Sequence, residues 1–235
     1  MHSELAGLEV ELQQQAPGAP TAAVVLCHGY GAPGDDLVGL APELVRAQPS
    51  LASVRFYFPQ APIDLGFGRA WWPIDMMAVQ RLQFDPNALR EFRKLEPEGL
   101  AAARSKLLAL VKQVADTTGL PMNRIVLGGF SQGAMLACDV ALRLEEAPAA
   151  LVELSGTLLT EDVWREKAKR RAGLPVFQSH GRFDPILPFQ AAEWLRDLLT
   201  ESGLPVEFVP FDGPHTIGAE AFAKLGAFLT RRLSS

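Results

Sequence analysis

Only two cysteines occur in 235 residues, too few for a disulfide framework, and neither has neighbours at metal-ligand spacing. Cys27 closes an apolar run and Cys138 sits in an alanine- and leucine-rich stretch, so both are expected to be buried free thiols. No apolar run is long enough to cross a bilayer, which argues against integral membrane association. A secretory leader needs a basic start and an apolar centre; here the amino terminus carries Glu4, Glu9, Glu11 and a Gln13-Gln14-Gln15 tract, so a cytoplasmic protein is expected. The formal net charge is -5 and no basic stripe runs through the chain, so nucleic acid is not an expected partner. The one basic cluster, Arg165 to Arg171, reads as a solvated helix face. Internal repeats and low-complexity segments are absent.

What is present is apolar and alternating. With 48% hydrophobic residues the chain can bury one large core, and residues 1–235 are expected to form a single domain. Leu8 to Leu12 alternates charged and apolar residues, as an edge strand would. Ala22 to Leu26 is continuously apolar, the signature of a strand buried on both faces of a mostly parallel sheet. Helical spacing over Asp36 to Ala47, a strand at Val54 to Phe58 and a long helix over Gly99 to Thr118 follow. Strands at Ile125 to Leu127, Ala150 to Leu154, Val176 to Ser179 and Val206 to Phe211 alternate with helices near 132–144, 162–170, 189–202 and 219–229. This rhythm predicts a doubly wound α/β fold with helices on both faces and functional groups at the carboxyl ends of the strands. Only Pro59 to Pro97 breaks it. That stretch is rich in proline and apolar residues but has no clean period, and it is expected to be a loop or short helices packed over a site.

The sequence that names a chemistry is Gly129-Phe130-Ser131-Gln132-Gly133, placed between a short β-rich run and an alanine-rich helix. A serine hydroxyl attacks at neutral pH only when a base takes its proton. A sharp strand-to-helix turn lifts that hydroxyl above a sheet, and glycines on either side let the backbones approach. The helix that follows adds a positive dipole end near the developing charge.

The base is found by elimination among four histidines. His2 lies at a terminus expected to fray, and His28 and His180 each end a strand before a glycine, as structural turn residues do. His215 follows the last strand, in the order Ser, acid, His that α/β-hydrolases use, and leaves room for a strand-end acid. Asp184, after the strand at Val176 to Ser179, is that acid. Asp212 competes but stands three residues before His215 and reads as a turn former. Donors for an oxyanion are expected from the backbone amides of Gln132 and of Tyr30, in the glycine-flanked loop His28-Gly29-Tyr30-Gly31.

With these residues assembled, the chain resembles the phospholipase/carboxylesterase family, which includes acyl-protein thioesterases and small bacterial carboxylesterases. The resemblance spans about Ala22 to Leu229. It is carried by Leu26 to Ala32, by Tyr57-Phe58-Pro59-Gln60-Ala61-Pro62 with Trp72 after it, and by the Gly-Phe-Ser-Gln-Gly elbow. Leu154-Ser155-Gly156, His180 to Pro188 and Gly213-Pro214-His215 complete it. It implies an α/β-hydrolase fold without a large separate cap and a metal-independent, cofactor-free serine hydrolase with Ser131, Asp184 and His215 as triad. Two features depart from the family: Tyr30 stands where many members have leucine, and the insertion around 63–97 is long. That insertion is expected to be lid-like or pocket-lining, and Trp71, Trp72, Met76, Met77 and Leu187 are candidates for an apolar acyl wall, although ordinary packing would account for each equally well.

The expected substrate is a small-molecule acyl ester. An acyl-protein thioesterase or lysophospholipase would carry the same triad. A binding protein on a disabled scaffold would lack a triad member, and none is missing. A dehalogenase or dienelactone hydrolase would need Asp or Cys at position 131. Monomer and homodimer both remain open.

Overall fold

In a computed structural model that describes residues 1–233, the alternating apolar runs form one twisted eight-stranded sheet. The chain opens with a hairpin, β1 (His2–Leu5) and β2 (Leu8–Gln13), and enters the sheet interior at β3 (Ala22–Cys27), every residue of which is buried. Helix α1 (Leu40–Ala47) leads to β4 (Val54–Pro59), followed by a two-residue-per-strand hairpin, β5 (Ile63–Asp64) and β6 (Arg69–Ala70). Two short helices, α2 (Met76–Arg81) and α3 (Pro86–Phe92), precede the long α4 (Leu100–Thr118). The second half is regular: β7 (Ile125–Phe130), α5 (Gln132–Arg143), β8 (Ala150–Leu154) and α6 (Glu161–Ala168). It closes with β9 (Val176–Gly181), α7 (Phe189–Glu201), β10 (Val206–Phe211) and α8 (Ala219–Leu233).

The strand order is β1-β2-β4-β3-β7-β8-β9-β10, parallel from β4 to β10 and antiparallel at the β1–β2–β4 end. Alternate residues of β3 feed two cores: Ala23, Val25 and Cys27 join the side chains of α4 to α7, and Ala22, Val24 and Leu26 join α1 and α8. This is the α/β-hydrolase arrangement. Among the described residues no helix is long and apolar enough to cross a membrane.

Three sequence expectations are corrected. The edge strand is β1, not β2, because the amino terminus folds back; His2 is held there by a 2.9 Å bond between its Nδ1 and Glu11 Oε1 rather than frayed. The helix expected from Asp36 begins only at Leu40, since the amides of Asp36, Val38 and Leu40 bond to carbonyls three residues back, which makes turns and not an α-helix. The irregular 59–97 stretch, by contrast, takes the second of its two expected forms and contains two short capped helices. Asp75 and Asp85 each accept two amide hydrogen bonds at the starts of α2 and α3, and Pro86 takes the first helical position. The Asp85-Pro86 pair was the readable signal for α3.

The basic cluster is largely paired. Arg165 bonds Glu161 and Glu201, while Arg171 donates to the carbonyls of Ala141 and Glu145 near the end of α5. Both cysteines are buried and free, and burial pushes both thiols up.

Two buried acids differ sharply. Asp139 on α5 accepts from Arg143 at 3.0 Å and the Trp164 indole at 2.8 Å, and pairs with Arg104, tying α4, α5 and α6 together. Glu153 on β8 is fully buried with both oxygens unpartnered, and burial alone holds its pKa well above 4.5. Removing the paired acid strands two guanidinium groups, so Asp139→Ala is expected to cost about 3 kcal/mol or more in urea unfolding; a loss under about 1 kcal/mol would contradict the clamp. The unpaired acid acts oppositely. The folded chain keeps the Glu153 proton that the unfolded chain releases above pH 4.5, so stability falls as pH rises past that value. Glu153→Gln should therefore gain on wild type as pH rises above 5, by up to about 1.4 kcal/mol per pH unit until the buried acid ionises, and a constant difference would refute this.

Candidate active site

Ser131 stands between β7 and α5 with φ 53° and ψ -118°, a left-handed conformation that a non-glycine residue adopts only under strain of about 1–3 kcal/mol. The close approach explains the flanking glycines. A Cβ on Gly129 would lie 2.5 Å from the Cys27 carbonyl oxygen, and one on Gly133 would overlap the same carbonyl and that of His28. The Ser131 amide donates to the Leu154 carbonyl at 2.8 Å, which seats the turn on β8. The first amides of α5, beginning with Gln132, have no intrahelical acceptor and form a positive end beside the serine.

Asp184 and His215 come from two loops at the ends of β9 and β10. The loops are stitched by Arg182 N to Phe211 O at 2.9 Å and Phe183 N to Gly213 O at 3.1 Å. Gly181 permits the contact, because a Cβ there would overlap the carbonyls of Gly213 and Pro214. Ser155 Oγ donates to the Thr216 carbonyl at 3.1 Å and holds the histidine loop from the β8 side. The result is a 2.6 Å hydrogen bond from His215 Nδ1 to Asp184 Oδ2. With Nδ1–H donating to a carboxylate, Nε2 is free to accept. The imidazole packs against Phe130, with 4.8 Å between ring centroids.

Asp184 is the most heavily tethered side chain of the site. Its Oδ1 accepts the amides of Ile186 at 2.8 Å and Leu187 at 2.9 Å, and His180 Nε2 lies 3.2 Å from Oδ2. Burial pushes its pKa up, but hydrogen bonds from His180 and His215, the charge of His215 and the Leu187 amide outweigh burial and hold the carboxyl well below the usual carboxylate range. His180 thus touches the acid as well as turning the chain, a contact that strand position alone did not disclose. His28 has a separate role. Its Nδ1 faces the Gly29 carbonyl at 2.8 Å and its Nε2 accepts from Ala61 N at 3.0 Å, which assigns a neutral Nδ1–H tautomer. Burial lowers its pKa accordingly.

Ser131 and His215 line one cavity of about 330 Å³, together with Tyr30. Its apolar wall is drawn from Trp72, Ile74, Met76, Val79, Phe92 and Leu95 of the insertion and Met135, Leu159 and Leu187 of the body. Three of the five wall candidates, Trp72, Met76 and Leu187, therefore line it. Trp71 does not: it is buried in the core with its indole N–H on the His28 carbonyl at 2.9 Å. Met77 does not either, being turned to solvent on the outer side of α2. Val79 and Phe92 escaped the sequence because neither α2 nor α3 is long enough to display a period, and Ile74 and Leu95 because they lie in irregular chain flanking those helices. A larger cleft of about 520 Å³ lies at the β1–β2 end, lined by Glu9, Glu11, Asp35 and Asp64, away from Ser131 and His215.

The profile of the phospholipase/carboxylesterase family matches residues 9–233. Acyl-protein thioesterase 1 of Neurospora crassa is 31% identical over 223 residues, covering 91% of this chain and 87% of that protein. Acyl-protein thioesterase 1 of Saccharomyces cerevisiae is 28% identical, covering 90% and 93%. Among solved structures, esterase PE8 superposes with a TM-score of 0.80 at 30% identity, covering 96% of this chain and 99% of that one. SOBER1 of Arabidopsis thaliana shares the fold with a TM-score of 0.75 at 20% identity, covering 90% and 99%.

The tethering of Asp184 has a thermodynamic consequence. A carboxylate whose folded pKa lies below its ordinary 3.8 stabilises the fold fully above that value and loses the contribution as pH falls through it. Asp184→Asn should therefore unfold with a shallower acid dependence than wild type between pH 5 and 2. Parallel curves of urea midpoint against pH would disprove the tethering.

Proposed function

The chain belongs to the phospholipase/carboxylesterase family of hydrolases, and on that premise we propose that it is a serine carboxylesterase acting through an acyl-enzyme. The observation that carries this reading is the 2.6 Å bond between Asp184 and His215, a histidine that lines one apolar cavity together with Ser131 on its strained turn. His215 Nε2 takes the Ser131 proton as Oγ attacks the acyl carbonyl. Asp184 holds the ring in the tautomer this requires and stabilises the imidazolium that forms. The amides of Tyr30 and Gln132 bind the tetrahedral oxyanion, assisted by the positive end of α5. His215 then protonates the leaving alcohol, and water activated by the same ring frees the acid. In this reading the 63–97 insertion is a lid that walls the acyl chain, since ten of its residues line the cavity. No step requires a cofactor.

A thioesterase acting on S-acyl groups is the second reading, favoured by the acyl-protein thioesterases at about 30% identity. A thiolate leaves with less protonation than an alkoxide, so the same residues serve either substrate. A lysophospholipase would use the same machinery on a larger leaving group.

A chain-length series of p-nitrophenyl esters, assayed beside the matching acyl thioesters, separates these readings. We expect an optimum at an acyl length that fills the cavity, and a fall in kcat of about 10⁴-fold or more in Ser131→Ala. Activity surviving in Ser131→Ala would overturn the mechanism. Thioester turnover without ester turnover would move the assignment to the thioesterase.

A further inference from the structure

The two amides assigned to the oxyanion come from segments far apart in the chain. That of Gln132 rides on α5, and that of Tyr30 rides on the loop after β3. Their separation is set by whatever touches both, and the 61–72 segment does so. The Gln132 carboxamide accepts from Trp71 N at 2.9 Å and donates to the Trp72 carbonyl at 2.8 Å. The Trp71 indole N–H then donates to the His28 carbonyl at 2.9 Å, two residues before Tyr30. On the far side of Tyr30, Gly31 N donates to Arg69 O at 2.8 Å and Arg69 N to Ala32 O at 3.0 Å. Gly68 lets the strands close, since a Cβ there would overlap the Gly31 carbonyl. Gln132, Trp71 and His28 are all almost completely buried, so these bonds form without competition from water.

We propose that the side chains of Gln132 and Trp71 are positioning elements of the oxyanion pocket, fixing the Tyr30 amide relative to the Gln132 amide through the Trp71–Trp72 backbone. The proposal rests on the serine-esterase reading above. It gives the residue after the nucleophile two functions: its amide binds charge and its side chain aligns the partner amide. It also explains why Trp71, absent from the cavity wall, sits beside a residue that lines it. Preorganised donors lose much of their value when displaced; an ångström of misplacement costs roughly 10²-fold in rate. A pair of bonds serving only the core would instead lower stability and leave the transition state untouched.

Trp71→Phe keeps the ring and removes only the N–H. Gln132→Met keeps length and backbone amide and removes both side-chain bonds. In each variant shown to be folded by circular dichroism, kcat is expected to fall about 10-fold or more with KM within about two-fold. An alkyl trifluoromethyl ketone provides the direct readout. Ser131 Oγ adds to its carbonyl carbon, the proton passes to His215, and the carbonyl oxygen becomes an anion in the proposed pocket. Its inhibition constant should rise by the same factor as kcat/KM falls, while binding of the alcohol made by reducing that ketone stays unchanged. Folded variants with wild-type kcat and ketone affinity would overturn the positioning role, as would a rate loss with no change in ketone affinity. If wild type forms no ketone adduct by ¹⁹F NMR, or if Ser131→Ala stays active, the serine reading itself fails and takes this proposal with it.

Discussion

The turn at Ser131 is the constraint around which the rest of the sheet is arranged. Its left-handed backbone survives only because β7 and α5 press against the carbonyls of Cys27 and His28 at a distance no side chain would tolerate, which is why Gly129 and Gly133 flank it. That pressure requires β3 and β7 to be neighbours, and their parallel pairing from Ala23–Ile125 to Cys27–Gly129 makes them so. The amide bond from Ser131 to the Leu154 carbonyl extends the same logic to β8. Three strand ends thus meet at one point.

A second convergence, built from separate pieces of chain, faces the first. The loops after β9 and β10 interlock through Gly181, and their backbone bonds bring Asp184 and His215 within 2.6 Å. The acid is held from four directions, by two backbone amides and two histidines, so its charge is already in place before any substrate arrives. In the proposed mechanism a charge fixed in this way needs little reorganisation during reaction, the property that makes electrostatic catalysis effective.

In the proposed function the insertion connects these parts to substrate. Its outer side carries exposed Met76 and Met77 of α2 and Phe84 of the link to α3, its inner faces line the cavity, and its base is bonded to Gln132 and the 28–32 loop. A movement of the insertion would therefore reach the 28–32 loop, the proposed oxyanion loop, through backbone hydrogen bonds. Glu153, buried and unpartnered beneath the elbow, shows that the same region also tolerates an electrostatic cost.

Much of the fold was legible before any coordinates. Fully buried strands such as Ala22–Cys27 announce themselves as unbroken apolar runs, and α4 displays its period over five turns. Ser131, Asp184 and His215 could be proposed from chain order because each stands near a glycine or proline turn at a strand end. Short elements stayed hidden, because α2, α3, β5 and β6 are too brief to show periodicity, and β1 required a pairing the terminus alone does not reveal. Side-chain partners were hidden for a different reason. Nothing local distinguishes Trp71 from Trp72, yet one is bonded in the core and the other lines the cavity. What the sequence determined by itself was the layered sheet and the chemical types at its strand ends, since both follow from local patterning and turn chemistry. Which atoms meet there, His180 with Asp184 and Gln132 with Trp71, was decided only by the tertiary structure, because hydrogen bonds between residues 4 to 61 positions apart depend on how whole loops pack.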